Sequence, residues 1–207
     1  MQDIKIKDQT PHCSKHVLPA VPSSEVYLED CVKALKRFND NHFDLAIVDP
    51  PYGIGADKAQ NNAAMQRIKA VGKSKAGRGW KLYADTDWDN ETPNAEYWQE
   101  LFRVSKNQIV WGGNYMTEHL KPTSSWLFWD KGTGDNDFAD GELAWTSFGG
   151  ALRKITKSWV GANAKDGLER IHPTQKPIYL YDWILNRYCK EGDLVLDTHL
   201  GSASSRI

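Results

Sequence analysis

The apolar run "FDLAIVD" at residues 43–49 constrains the fold most, because it has the length of a strand and ends on two consecutive prolines. Apolar residues at both odd and even positions predict a strand buried on both faces, as in parallel sheets covered by helices. Prolines fix their own φ and donate no hydrogen bond, so the chain must leave the sheet rigidly after Asp49. The run therefore predicts an interior strand of an α/β domain.

Strand and helix patterns alternate along the rest of the chain. We predict further strands at 24–30, 107–113, 124–131, 142–148 and 193–198, and helices at 30–38, 94–104 and 177–193. This alternation favours an α/β domain with a mostly parallel sheet. Ligands bind such sheets beyond the carboxyl ends of the strands. Three predicted strands end there on an aspartate, namely Asp30, Asp49 and Asp197.

The segment Asp49-Pro50-Pro51-Tyr52 predicts a rigid edge of a pocket. Both prolines lack an N–H, so the Asp49 side chain and the Pro50 carbonyl face the pocket as acceptors, and Tyr52 adds a flat ring. Two acceptors beside a ring suit an exocyclic amino group on a flat base, because that group has two hydrogens to donate. Holding both hydrogens out of the ring plane frees the nitrogen lone pair for attack.

The composition indicates one globular domain. The chain has 207 residues, a formal net charge of -1 and 40% hydrophobic residues, which argues against disorder. Three widely spaced cysteines indicate a reducing compartment and argue against both a disulfide framework and a Cys-rich zinc site. We see no signal-peptide core, no membrane span and no metal-ligand cluster, and we expect a cytoplasmic protein.

Residues 58–82 carry seven Lys or Arg residues and no Asp or Glu. A solvated loop would explain this composition, and so would a loop that contacts phosphates, since clustered cations supply the sequence-independent part of nucleic-acid affinity. Its place directly after the Asp-Pro-Pro-Tyr segment favours the second interpretation. The candidate DNA-binding residues are Lys58, Arg67, Lys69, Lys73, Lys75 and Arg78.

These motifs resemble those of the DNA amino-methyltransferases, which transfer a methyl group from S-adenosylmethionine to adenine N6 or cytosine N4. "DPPY" is similar to their catalytic motif, in the Asp form that is usual among adenine-N6 members. Four further stretches agree in order: "IVWGGNY" (109–115), "WLFWDKG" (126–132), "HPTQKP" (172–177) and "VLDTHLGSAS" (195–204). The catalytic motif precedes the cofactor turn, as in the circularly permuted β group. The resemblance implies a Rossmann-like, S-adenosylmethionine-dependent methyltransferase fold.

The resemblance also implies roles for individual residues. Asp49 and Pro50 would accept hydrogen bonds from a flipped base in double-stranded DNA, with Pro51 and Tyr52 completing the catalytic motif and Tyr52 stacking on the base. Transfer would be a direct in-line displacement at the sulfonium methyl. The implied cofactor-binding residues are Asp30, Asp49, Thr174, Lys176, Asp197, Gly201 and Ser202.

Two departures from the family pattern shape the expectation. Gly201-Ser202-Ala203 replaces the usual Gly-Ser-Gly. If the third position needs a positive φ, alanine costs on the order of 1 kcal/mol there; if that position begins the next helix, alanine costs nothing. The chain also stops shortly after this turn, which predicts a form truncated at its C-terminus with a weakened cofactor site.

We expect a single methyltransferase domain, monomeric or homodimeric, that acts on adenine N6. It would comprise an N-terminal extension (1–22), a basic loop (56–85) and a small variable region for target recognition (130–170). The alternatives are a cytosine-N4 methyltransferase and a non-catalytic DNA-binding remnant. A restriction-modification or phage origin rests on analogy.

Overall fold

The computed structural model describes residues 23–56, 58, 62, 65, 66, 69, 87–132, 139–157 and 175–205. The helices whose bounds are described are α1 (Cys31–Leu35), α2 (Ala95–Val104) and α3 (Ile178–Tyr188). A short 3₁₀ helix spans Gly113–Tyr115. The strands are β1 (Phe43–Val48), β2 (Ser105–Trp111), β3 (Trp126–Asp130), β4 (Gly141–Thr146), β5 (Arg153–Thr156) and β6 (Val195–Leu196).

All six strands form one sheet in the order β5-β3-β4-β2-β1-β6. Strand β1 pairs in parallel with β2 and with β6, and β3 pairs in parallel with β5. Strand β4 is antiparallel to both of its neighbours, β2 and β3. The predicted α/β class with a mostly parallel sheet is therefore confirmed, with one antiparallel strand in its interior.

Strand β1 is buried on both faces, as the sequence predicted. Leu45 and Ile47 pack into a cluster with residues of α3, while Ala46 and Val48 pack into a second cluster with residues of α2. Side chains of a strand alternate between the two faces of its sheet, so consecutive apolar residues serve the two clusters in turn. The two helices thus cover opposite faces of the sheet.

Helix starts follow the local capping chemistry. Asn94 caps α2 by accepting a hydrogen bond from the backbone N–H of Tyr97 at 3.0 Å, and Asp30 caps α1 through the N–H of Lys33 at 2.9 Å. Pro177 stands immediately before α3 in extended backbone, where its missing N–H costs nothing. These starts agree with the predicted helices, although α1 and α3 end earlier than predicted.

One predicted strand is wrong and another is wrong in part. Residues 24–30 are not a strand, and Val26 and Leu28 are exposed, because an apolar pattern forms a strand only where a partner lies beside it. Asp30 therefore caps a helix and does not end a strand. Residues 193–198 were predicted to be a buried strand, but β6 has two residues at one end of the described sheet, and Val195 is exposed.

Two further findings were not predicted. Strand β5 is absent from the sequence prediction, since three of its four residues are exposed. Strand β4 was predicted at 142–148 and is found at Gly141–Thr146, so β4 and β5 both lie within the described part of the region 130–170. The described residues of the "basic loop" between 56 and 69 are helical, namely Ala56, Lys58, Asn62, Met65, Gln66 and Lys69. Ala, Met, Gln and Lys are strong helix formers, which accounts for the difference.

Ala203 has a positive φ of 61°. The Ala203 N–H donates to the Leu200 carbonyl at 2.7 Å in a tight turn, so this residue does not begin a helix. An L-residue with a side chain is strained in this region. The departure from the family's third glycine therefore has an energetic cost in this chain.

We expect Ala203→Gly to raise the free energy of unfolding by about 1 kcal/mol, because glycine adopts positive φ without strain. Ala34→Gly within α1 is the matched control, and should lower it by about 0.5–1 kcal/mol. Urea unfolding of both variants measures the difference. A203G no more stable than the parent chain would contradict the strain at this turn.

Candidate active site

The parallel pairing of β1 with β6 brings two aspartates to the same edge of the sheet. Asp49 follows β1 directly, and Asp197 follows β6. Between the two segments lies a cavity of about 220 Å³. It is lined by Asp49 and Pro51, by the turn 199–202, and by Trp88, Gln175, Lys176 and Tyr181. This is the crevice beyond the strand ends where ligands of α/β sheets bind.

The Asp49 carboxylate is bound by two donors from the protein. The Lys176 ammonium lies 2.7 Å from each of its oxygens, and the Tyr52 hydroxyl donates to Oδ1 at 2.8 Å. A carboxylate offers about four lone-pair positions. These contacts therefore fix the orientation of Asp49 and leave acceptor capacity for a further donor.

Lys176 is a buried cation held between two carboxylates. Its side chain is 3% exposed, and Nζ also lies 3.1 Å from Oε2 of Glu142. Glu142 is in turn paired with Lys131 at 2.6 Å. Burial opposes the charge of Lys176, but Asp49 and Glu142 outweigh it and raise its pKa. Burial likewise opposes the charge of Glu142, and the two lysines nevertheless lower its pKa to about 2.

Tyr52 is fixed by a glycine and by a second tyrosine. Its ring stacks on Tyr115, with centroids 5.1 Å apart and planes inclined by 17°. Gly112 has a φ of 65°, and a Cβ built there would lie 2.1 Å from Cε1 of Tyr52, so only glycine permits this approach. Burial, followed by the charges of Asp49 and Glu142, raises the pKa of Tyr52 well above its ordinary value. The hydroxyl therefore stays protonated and acts as a donor.

The turn after β6 forms the opposite wall. Asp197 accepts hydrogen bonds from the His199 N–H at 2.9 Å and from the Ser205 hydroxyl at 2.6 Å. The His199 Nδ1 lies 2.9 Å from Oγ1 of Thr198, which also lies 2.8 Å from the Tyr97 hydroxyl. Asp197 thus shapes the turn that carries Gly201 and leaves its small residues facing the cavity.

Comparison with known proteins supports a methyltransferase. A family model described as "DNA methylase", for N6 and N4 methyltransferases, matches residues 117–205. That stretch includes Lys176 and Asp197 but not residues 49–52. Type II methyltransferase M2.DpnII of Streptococcus pneumoniae is 27% identical over 146 residues, covering 70% of this chain and 48% of the relative. Type II methyltransferase M.HpaI of Haemophilus parainfluenzae is 27% identical over 223 residues, covering 84% and 63%.

In these comparisons the chain is similar to DNA amino-methyltransferases. It spans about half the length of M2.DpnII and of M2.LlaDCHI from Lactococcus lactis subsp. cremoris, the latter 25% identical over 146 residues. A solved structure, a putative DNA modification methylase of Thermus thermophilus, superposes with a TM-score of 0.46 at 14% identity, covering 86% of this chain and 80% of that one.

The structure brings most of the predicted catalytic and cofactor-binding residues together. Asp49, Pro51, Lys176, Gly201 and Ser202 line one cavity, and Tyr52 contacts Asp49. Lys176 was predicted to border the cofactor, and its direct partner is Asp49.

Other predicted residues lie elsewhere. Asp30 is exposed at the N-terminus of α1 and is not part of the cavity lining. Lys58 is bound to Asp87 and Asn90, and Lys69 is exposed. The remaining ones fall outside the described residues: Thr174, Arg67, Lys73, Lys75 and Arg78.

Sequence reasoning missed two carboxylates, Glu142 and Asp89. Glu142 lies near the start of β4, and Asp89 binds the backbone after Pro51. The acidic stretch "DTDWDN" after the basic segment is the only local signal for Asp89. Within the described residues, no group of three or more His, Cys, Asp or Glu side chains is arranged to hold a metal ion. No helix in the same part of the chain is long and apolar enough to cross a membrane.

Folding shifts the pKa of Asp197 and the pKa of His199 in opposite directions. Burial raises the pKa of Asp197 from 3.8 to about 6, so its contribution to stability is present below pH 3.8 and is lost as pH rises through 6. Burial lowers the pKa of His199 from 6.5 to about 4, so its contribution is present above pH 6.5 and is lost as pH falls through 4. The two effects oppose each other in one pH window.

We expect the variants Asp197→Asn and His199→Asn to reveal these opposing slopes. Between about pH 4 and 6, the free energy of unfolding should rise with pH more steeply in D197N than in the parent chain, because His199 then acts alone. In H199N the slope of the free energy of unfolding against pH should be lower than in the parent chain over the same range. Urea unfolding at several pH values measures both slopes, and a shift of both variants in the same direction would refute the assignment.

Proposed function

We propose that this chain transfers a methyl group from S-adenosylmethionine to an exocyclic amino group of a base in DNA. One observation carries the proposal: Asp49 and the Gly201-Ser202 turn line the same cavity at the ends of adjacent parallel strands. The family assignment supports the reaction class. The names of the Type II methyltransferases that it resembles support DNA as substrate and a place in restriction-modification.

The lining of the cavity fits the methionine end of S-adenosylmethionine. A sulfonium cation is favoured beside carboxylates and aromatic faces, and Asp49, Trp88 and Tyr181 supply both kinds of group. Gly201 and Ser202 leave backbone amides accessible to a carboxylate. When bound, S-adenosylmethionine supplies the electrophilic methyl group.

The chain's own residues would bind and orient the amino group. The Asp49 carboxylate and the Pro50 carbonyl accept its two hydrogens, while the Tyr52 hydroxyl donates to Oδ1 of the same carboxylate. Positive charge develops on the nitrogen as it is methylated, and the fixed Asp49 carboxylate stabilises that charge. Lys176 contacts both carboxylate oxygens of Asp49 and fixes their orientation. The methylated ammonium is strongly acidic, so its proton is lost afterwards without a strong base.

Adenine N6 is the proposed acceptor, because the motif carries Asp at position 49. We propose base flipping from double-stranded DNA, since an amino group within a duplex cannot reach Asp49. The basic segment 56–85 would contact phosphates, and the circularly permuted order of the β group is part of the same proposal. Cytosine N4 needs the same acceptors and is the alternative acceptor.

Methyl transfer is tested by incubating the chain with tritiated S-adenosylmethionine and unmethylated DNA, followed by digestion and separation of the nucleosides. We expect label in N6-methyladenine. Asp49→Ala should lower the rate by roughly 10²-fold or more, because it removes the group that stabilises the developing charge. Asp182→Ala changes an exposed aspartate of α3 and is the matched control, with a rate equal to the parent chain.

The outcomes separate the alternatives. Label in N4-methylcytosine would replace adenine by cytosine as the acceptor and keep the reaction. Label that survives Asp49→Ala unchanged would remove Asp49 from the active site. DNA binding without any label would favour the non-catalytic remnant.

A further inference from the structure

Asp89 is a buried residue that binds the backbone of the catalytic segment. It is 1% exposed. Its Oδ1 accepts hydrogen bonds from the N–H groups of Tyr52 at 2.7 Å and Gly53 at 3.0 Å, and its Oδ2 accepts from the Ala56 N–H at 2.7 Å. Its own backbone carbonyl accepts from the Gly55 N–H at 3.0 Å. One residue thus holds four backbone amides within residues 52–56.

The N–H groups of Tyr52 and Gly53 are the first backbone donors after Asp49, because Pro50 and Pro51 have no N–H. A buried N–H without an acceptor is costly. Asp89 satisfies both and thereby fixes the path of the chain where it leaves the prolines.

Tyr52 is consequently held at two points. Asp89 binds its backbone N–H, and its hydroxyl donates to Asp49 at 2.8 Å and lies 3.1 Å from the Lys176 ammonium. A ring anchored at its backbone and at its tip cannot shift without breaking one of these contacts. The position of the ring relative to Asp49 therefore depends on the Asp89 contact.

The loop that contains Asp89 also contacts the start of the basic segment. Lys58 binds Asp87 at 2.8 Å and Asn90 at 3.0 Å, next to the bonds that Asp89 makes to Gly55 and Ala56. Asp89 therefore joins Gly55 and Ala56 to its own loop beside Tyr52. The Lys58–Asp87 pair is largely exposed, with side chains 51% and 77% accessible, and such pairs add little.

We propose that Asp89 is a positioning residue of the methyltransferase, which holds the backbone of Tyr52 and Gly53 so that Tyr52 orients Asp49 toward the amino group. The proposal rests on the proposed function for its catalytic part. Asp89 touches neither substrate nor cofactor in this role, and it acts through Tyr52.

The test compares Asp89→Asn, Asp89→Ala and the control Asp87→Asn. Asp89→Asn retains one acceptor oxygen and loses the other, whereas Asp89→Ala loses all three side-chain hydrogen bonds. Asp87 is two residues away, carries the same charge and has a side chain that is 77% exposed. Amide hydrogen exchange by NMR and steady-state methylation kinetics are measured on the full chain, with thermal unfolding as a check of folding.

In Asp89→Ala we expect the amides of Tyr52, Gly53 and Ala56 to exchange about tenfold faster, since each loses a hydrogen bond. Amides within β1 and β2 should keep their rates. We expect kcat to fall about 100-fold through misplacement of the catalytic segment, with KM for S-adenosylmethionine unchanged. Asp89→Asn should give intermediate values in both measurements, and Asp87→Asn should match the parent chain.

Unchanged exchange at Tyr52 and Gly53 in Asp89→Ala would overturn the proposal, and so would a parental kcat. A fall in kcat accompanied by faster exchange throughout β1 and β2 would also overturn it, because it would indicate general loosening. If Asp89→Ala does not fold, Asp89→Asn against Asp87→Asn decides by the same criteria. A parent chain that transfers no methyl group would remove the proposed function, and the exchange rates alone would then decide the role of Asp89.

Discussion

The buried ammonium of Lys176 is the interaction on which the site depends. A lysine with a side chain 3% exposed is stable as a cation only if carboxylates replace its water, and Asp49 and Glu142 do so from two different strands. Removing either carboxylate would leave a buried charge without a full partner, which is strongly destabilising. The charge of Lys176 therefore holds together the end of β1 and the start of β4. The orientation of the Asp49 carboxylate depends on these ion pairs.

The order of strands explains why these groups meet. Strand β1 lies between β2 and β6, and both pairings are parallel, so the segments after β1 and after β6 emerge at one edge. Strand β4 runs antiparallel beside β2, and its first residues, including Glu142, therefore lie at the same edge. An antiparallel strand in the interior thus delivers a carboxylate from its beginning to the place where the parallel strands end. A wholly parallel sheet would have sent that residue to the opposite edge.

Residues whose partners are local could be predicted from the sequence, and residues whose partners are distant could not. The run at 43–49 and the starts of α1 and α2 depend on neighbours in the chain or on burial common to the whole run, and they were predicted to within one residue. Residues 24–30 show a similar apolar pattern, but whether such a pattern becomes a strand depends on a partner beside it. Asp89 contacts Tyr52 across 37 positions, and no local pattern distinguishes it from an ordinary loop aspartate. The reactive residues at the strand ends were therefore easier to predict than the distant residues that hold them in place.

The hydrogen bonds of Asp49 also bear on how a substrate would be selected. Its carboxylate already receives donors from Tyr52 and Lys176, which orient it and leave acceptor capacity for one further donor. On the proposed function, an incoming amino group adds a donor to a carboxylate that is already desolvated and oriented, so little reorganisation is needed on binding. A base that presents an acceptor at this position would face the oxygens of Asp49 and Pro50 without a hydrogen to give. Sites built to bind an N–H discriminate strongly against partners that lack it, because their buried acceptors are then left unpaired. Rigid acceptors beside a lysine whose charge is balanced by carboxylates would therefore select for an amino group before any contact with the DNA sequence is made.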